Sequence, residues 1–457
     1  DKVVLNFSNK EIIMIKTAKQ ILRKPFFSDM SYHLYRAILV GIITGLIVSV
    51  FRWVIDHTMQ ILNFIYPKMA AQPMWLVPYV ILMIVICLVL GHITKPYLNQ
   101  LVGSGVPQIE AVFLGENKMP WWSILWRKFV GGLLAICPGL MLGREGPCIE
   151  MGAMVGQGLA ESIFESDKDQ IKELQECGVA AGLAAAFSAP IAGAMFLVEE
   201  ISFSFKPKKV VSILAASVSA DFMTILFFGN KPCLYLPVRG YFPINAYWTL
   251  PIIGIVLGLL AYCYQYTLLS LKPIFSKLKK IPAYYHSIIP LISIIPVGLW
   301  NSHLLGGSHV LITDLSNHKL DTQLLLGPWS LVIIPIILFV IRFVFSMLSY
   351  GSSVPGGIFM PILVLGAILG MICANVMIKL GIIPSMYFVH ILVISMAAYF
   401  GAIEKAPFTA IMLLTEMVGT VQQVLPLIIV TFISYYVLDL LGGKPIYEAL
   451  RLQMGYK

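Results

Sequence analysis

Charge is scarce in this chain of 457 residues: Asp, Glu, Lys and Arg together make up 12% of it. A soluble domain carries about 25% charged and about 45–50% apolar residues. Here the apolar share is 58% and the mean hydropathy +0.84, too much to hide in the cores of two or three soluble domains. The seven cysteines form no C-x-x-C pair and no metal-ligand spacing, which excludes a disulfide scaffold and a zinc site and leaves inert, buried thiols. The eight histidines contain no His-Glu-x-x-His, and Ser104 is the one serine that invites comparison with a nucleophile, so an intramembrane hydrolase has little to build on and no cofactor is implied. Residues 1–33 are too polar for a signal peptide. The net charge of +9 is spread over the ends of apolar segments, the pattern of positive-inside loops and not of a nucleic-acid surface. The chain is read as an integral membrane protein in a lipid bilayer.

A bilayer core of about 30 Å takes roughly 20 apolar residues per helix. Long apolar tracts run over 36–65, 75–95, 121–142, 178–203, 210–229, 246–271, 284–300, 329–350, 356–380, 383–403 and 406–441. Clusters of Gly and Pro interrupt many of them. Non-helical backbone at membrane depth survives only inside protein or beside an aqueous cavity, so broken helices point to the interior of a transporter or channel. Basic residues Lys2, Lys10, Lys16, Lys19, Arg23 and Lys24 place the N-terminus inside the cell, as Arg451 and Lys457 do the C-terminus. Lys206, Lys208 and Lys209 mark one internal loop and Lys272, Lys277, Lys279 and Lys280 another, while 230–245, with only Lys231 and Arg239, reads as external.

An internal repeat organises the rest. Pro138-Gly139 and Pro355-Gly356 lie 217 residues apart, and so do Ala189-Pro190 and Ala406-Pro407. Over positions 180–199 this offset gives eight identities, against about two or three by chance in so biased a composition. Gly152-Ala153 and Gly156 match Gly366-Ala367 and Gly370 at offset 214. The expected organisation is a cytoplasmic segment 1–33, a first membrane repeat 34–228, an external connection 229–245, a second repeat 246–441 and a C-terminal segment 442–457. Transporter duplications of this kind are often inverted, with substrate at the midplane between halves.

Chemistry concentrates in three interruptions. Met141-Leu142-Gly143-Arg144-Glu145-Gly146-Pro147 sets a carboxylate deep in an apolar region, between glycines and just before a helix start. Glycines expose backbone N–H groups and a helix N-terminus adds about +0.5 of a charge, so such a site binds an anion, and the Glu145 side chain is a tethered anion able to fill it. The plainer alternatives for Glu145 are a helix-dipole partner or a salt bridge to Arg144 or Lys128. Gly103-Ser104-Gly105-Val106-Pro107 and Pro355-Gly356-Gly357-Ile358-Phe359-Met360-Pro361 are two further breaks with freed amides. Three such ends converging would form a positive midplane pocket with no Lys or Arg in the path.

Together these motifs, in this order, resemble the CLC family of chloride channels and chloride/proton antiporters. The resemblance extends through Ala189-Pro190 and Glu199-Glu200 to Gly442-Gly443-Lys444-Pro445-Ile446-Tyr447, nearly the whole membrane portion. It implies an all-α integral membrane fold of two inverted repeats with tilted and broken helices, assembled as a homodimer with one pathway per subunit, of the prokaryotic type without a cytoplasmic regulatory domain. Carried over residue by residue, it implies that Ser104 and Tyr447 present hydroxyls to a central anion, joined by the amides of Ile358 and Phe359. Glu145 becomes the outer gate, and Lys128, Arg144 and the Gly146 amide its electropositive surroundings. Glu200 matches the inner proton acceptor. Under the repeat offset Glu199 corresponds to Glu416 but Glu200 to Met417, so Glu200 is the acid added in one half only. Its plainer alternative is a helix-end carboxylate paired with Lys206, Lys208 or Lys209; Ser104 and Tyr447 have theirs as a turn hydroxyl and an interfacial anchor.

Two features depart from the family pattern. Glu150, five residues after the gate, either raises the proton affinity of Glu145 by like-charge repulsion or meets solvent. Glu404-Lys405 is read as a self-paired loop. The expected activity is exchange of chloride for protons in the cell's inner membrane, with bromide and nitrate also permeating. A passive chloride channel is the alternative, and fluoride/proton exchange a weaker one that Ser104 argues against.

Overall fold

The computed structural model describes residues 29–202, 207–234, 236, 238, 240–317 and 330–456. Lys2, Lys10, Lys16, Lys19, Arg23, Lys24, Lys206, Arg239 and Lys457, used above for orientation, lie outside the described residues, as does the side chain of Lys208. Helices dominate, and among the described residues the β contacts are two isolated bridges. In order, α1 (Asp29–Ala71), α2 (Leu76–Thr94), α3 (Val106–Phe113), α4 (Trp121–Ile136), α5 (Glu145–Ser162), α6 (Lys168–Phe187), α7 (Pro190–Phe196) and α8 (Pro207–Phe228) form the first half. The second half holds α9 (Thr249–Phe275), the short α10 (Ile288–Ser293), α11 (Ile295–Trp300) and α12 (His309–Ser316), then α13 (Ser330–Gly351), α14 (Phe359–Lys379), α15 (Phe388–Glu404), α16 (Pro407–Val418) and α17 (Val424–Leu440). Helix α18 (Ile446–Met454) ends the described chain.

Eight helical stretches among the described residues are long and apolar enough to cross a membrane. Their outer faces are oily: Val77, Ile81, Leu82 and Leu88 on α2, Phe222 and Leu226 on α8, and Ile336 and Val340 on α13 are exposed. Cys263 of α9 is also exposed, which corrects the expectation of uniformly buried thiols. Helices α14 and α15, by contrast, are almost wholly buried and form the centre. Lipid tails are as apolar as Leu, so helices in a bilayer are held by close packing and not by water exclusion. The glycines of the repeat supply it. A Cβ on Gly152 would strike the carbonyl of Gly178 where α5 crosses α6, and one on Gly370 would lie 2.7 Å from the Leu392 Cα where α14 crosses α15.

The halves are related by an exchange that reverses chain direction. Gly143 and Gly357, equivalent at offset 214, pair antiparallel, each amide donating to the other's carbonyl at 2.7 Å. Equivalent segments thus run in opposite directions where they meet, the relation that inverted repeats produce. A second exchange repeats the relation. The Glu199 carboxylate accepts from the amides of Phe408 and Thr409 at 3.1 and 2.7 Å, capping α16. Its counterpart Glu416 accepts from the amides of Ile191 and Ala192 at 3.0 and 2.8 Å, capping α7. Each half thus satisfies the orphaned N–H groups of the other's broken helix.

Removing one such cap leaves two amides orphaned where water is absent. Glu416→Ala is expected to cost about 2 kcal/mol and Glu416→Gln less, since Gln keeps one acceptor. Thermal unfolding in detergent measures both.

Candidate functional site: three interrupted helices at one point

The three Gly-rich breaks meet. Gly103 donates its amide to Val354 at 2.9 Å and accepts from Gly356 at 3.0 Å, while Gly143 pairs with Gly357. The first loop is thereby tied to the third, and the second to the third. Gly105 enters α3 at φ +90°, a left-handed conformation that suits glycine, and a Cβ there would also meet Glu150. A Cβ on Gly146 would lie 2.6 Å from both the Cβ and the carbonyl oxygen of Ser104, so only glycine lets these two segments touch. The first N–H groups of α5 and α14 have no intrahelical acceptors, and Glu145 and Phe359 open those helices.

Ser104 is buried, with its Oγ accepting from the Val106 amide at 3.3 Å and the Tyr350 hydroxyl beside it. Tyr447 arrives from the far end of the chain. Arg451 pairs with Glu110 at 3.2 Å and with Glu116 at 2.5 Å, holding α18 against α3. The Tyr447 ring then meets Phe196 edge-on at 6.4 Å, and Phe196 meets Phe359 at 6.0 Å. Ser104, Gly146, Ile358, Phe359 and Tyr447 are therefore all buried where the three breaks meet. Tyr350 and Arg451 were not among the candidate residues: one sits within an ordinary apolar helix and the other looks like a topology signal.

Glu145 is fully buried at the first position of α5. Its carboxylate faces the Met360 amide at the start of α14, and neither oxygen meets hydrogen-bond geometry. The salt-bridge alternatives do not occur: Arg144 pairs with Asp56 at 2.5 Å and Lys128 with Glu150 at 2.5 Å. Lys128 also donates to the carbonyls of Leu101 and Gly103 at 2.9 and 3.0 Å. It braces the first loop, with its charge matched by Glu150. Glu150 is correspondingly buried and paired, not solvated. The unanticipated cation near Glu145 is Arg52, an isolated Arg within the first apolar tract, whose guanidinium reaches the Ala185 carbonyl and sits 4.5 Å above the Phe228 ring.

Glu200 lies in a short π-helical turn (Leu197–Ser202), buried, in a setting of carboxyls from Glu404, Glu110, Glu199 and Glu448. Lys209, the one described basic side chain of its suspected partners, pairs with Glu176 at 2.6 Å instead. Glu404 is likewise buried, and Lys405 turns away to Asp439, so the self-paired Glu404-Lys405 reading is corrected. Two cavities approach the locus. One of about 390 Å³ is lined by Arg52, Asp56, Arg144, Glu145, Lys231 and His309; the other, of about 300 Å³, reaches Gly103 and Tyr350 past Lys272. Residues 231–233 precede α9 and residues 272–276 form its C-terminal end, so the cavities open to opposite sides.

Residues 86–439 match the family described as voltage gated chloride channel. The chain is 30% identical over 453 residues to the H(+)/Cl(-) exchange transporter ClcA of Vibrio cholerae serotype O1 (strain M66-2), covering 96% of this chain and 93% of that one. It is 28% identical over 433 residues to the transporter of the same name from Yersinia pseudotuberculosis serotype IB (strain PB1/+), covering 91% and 86%. Among solved structures, a slow cyanobacterial Cl-/H+ antiporter superposes with TM-score 0.85 at 27% identity, covering 93% of this chain and 98% of that one.

The Lys128–Glu150 pair yields a test of its bracing role. Lys128→Met strands a buried carboxylate and is expected to cost about 3–5 kcal/mol, whereas Lys128→Met with Glu150→Met recovers most of it. Yield and monodispersity on gel filtration read the difference.

Proposed function

The chain belongs to the voltage gated chloride channel family, and we propose that it exchanges chloride for protons across a membrane by letting one carboxylate compete with the halide. The observation that carries this reading is Glu145: buried, without an ion-pair partner among the described residues, and aimed at the amides that open α14. Backbone N–H groups at helix starts stabilise an anion without the tight grip of a fixed full charge, which permits both binding and release.

The proposed cycle runs as follows. Chloride enters the larger cavity past Arg144 and Arg52, whose positive charge raises its local concentration. It reaches the amides of Gly146, Ile358 and Phe359 only when Glu145 has left them, and Glu145 leaves on taking a proton. Ser104 and Tyr447 hold the halide centrally through their hydroxyls. Glu200, which has no ion pair among the described residues, supplies or accepts the proton on the other side. Because the gate cannot yield its place without being protonated, the two fluxes are locked together. Bromide and nitrate meet the same amides and would follow chloride. The protein works without covalent catalysis as a homodimer in the cell's inner membrane, both termini cytoplasmic, with its domains bounded as expected from the sequence.

Reconstituted into liposomes under a pH gradient, the chain is expected to reverse at a potential displaced from the chloride Nernst potential; a reversal that tracks chloride alone would make it a channel. Glu145→Gln is expected to abolish chloride-driven proton pumping by mimicking the protonated gate. Glu200→Gln is expected to stop proton flux while chloride flux continues, and dye-detected acidification with a chloride electrode separates the two.

A further inference from the structure

Glu404 has no place in the cycle above, yet it is among the most deeply enclosed acids of the molecule. It is fully buried, neither carboxyl oxygen meets hydrogen-bond geometry, and no ion pair among the described residues involves it. An ionisable group left unpaired inside a membrane protein is costly, and chains of such acids serve as proton relays. The repeat sharpens its singularity. At offset 217 its counterpart is Phe187, an apolar residue, just as Glu200 has Met417. The acids that stay symmetric, Glu199 and Glu416, are used up in capping helices.

Its surroundings join the two ends of the proposed path. Glu404 stands with Glu110, Glu199 and Glu448 among the carboxyls around the buried Glu200. On its other flank stands the Tyr447 hydroxyl, within hydrogen-bonding reach, with Tyr350 and Tyr264 behind it. Phe400, one turn earlier on the same face of α15, lies 4.3 Å from the Phe359 ring, so this face looks onto the anion locus. Gln265 fixes the arrangement by donating to the carbonyls of Ile403 and Lys444 at 2.7 and 2.8 Å, tying the last turn of α15 to the segment that carries Tyr447.

Resting on the exchange reading, we propose that Glu404 is a second proton-carrying residue of the inner route, placed between Glu200 and the central anion site. In the first step the O–H bond of Glu200 breaks and one forms on the Glu404 carboxylate, leaving Glu200 ionised and ready to be reprotonated from its own side. In the second, the Glu404 proton passes by way of water to the Glu145 carboxylate. One proton moves and nothing is oxidised or reduced. The same residue links proton to halide. An ionised Glu404 takes the O–H of Tyr447 as its donor, whereas a protonated Glu404 donates to the Tyr447 oxygen and frees that hydroxyl for the halide.

The test is the proton-to-chloride flux ratio of the full chain in liposomes, which does not depend on the amount of active protein. Glu404→Gln is expected to lower the ratio by about 100-fold, the least that loss of a positioned proton-transfer group costs, with Glu404→Asp restoring much of it. A wild-type ratio in Glu404→Gln, measured alongside a Glu200→Gln variant that has lost proton flux, would overturn the assignment. So would parallel loss of both fluxes in Glu404→Gln and Glu404→Asp, which marks a structural acid. If the unaltered chain moves no protons, the exchange reading fails and not this inference alone.

Discussion

Everything in the site depends on how a membrane protein disposes of backbone polar groups where no water reaches. Three helices are broken at depth, and each break frees N–H and C=O groups that hydrocarbon would penalise by several kcal/mol apiece. The chain answers by stitching the breaks to one another: Gly103 to Val354 and Gly356, Gly143 to Gly357. Once those bonds are made, amides remain open at the starts of α5 and α14, and in the proposed cycle an anion is the ligand that satisfies them. The binding chemistry is thus a by-product of satisfying the backbone, and it needs no fixed cation in the path.

The distribution of buried charge follows the same logic. Lys128 with Glu150, Arg144 with Asp56, and Arg451 with Glu110 are matched pairs that brace loops and helices around the locus. Glu199 and Glu416 are matched to helix starts instead of cations. Three buried acids, Glu145, Glu200 and Glu404, are left without an ion pair among the described residues. Matched charges hold a structure still; unmatched carboxyls are the ones able to gain and lose protons. In the proposed cycle the division between scaffold and moving parts is therefore a division between paired and unpaired acids.

Much of the site was legible because its signals are local. Gly flanking Glu145, and Pro at the fourth position after each of the equivalent Gly143 and Gly357, announce helix starts with open amides. The repeat offset separated Glu199 from Glu200 before any contact was known, and the reciprocal capping gives that separation its physical cause. What stayed hidden depended on partners remote in sequence. Glu150 looked like a perturbation of the gate because its counter-charge, Lys128, lies 22 residues upstream on another helix. Lys405 looked like the partner of Glu404, but its left-handed backbone at φ +56° sends it to Asp439. Arg52 and Tyr350 carried no motif at all.

Composition, periodic apolar tracts and a duplicated pattern of Gly and Pro were enough to determine a membrane protein of two related halves with three broken helices, since each is a property of a residue and its near neighbours. Tertiary structure alone decided that the halves are inverted, that the breaks converge, and which buried acids have partners. Those are relations between groups as much as 341 residues apart, as from Glu110 to Arg451, and only folding the chain brings their charges and dipoles within the few ångströms over which they act.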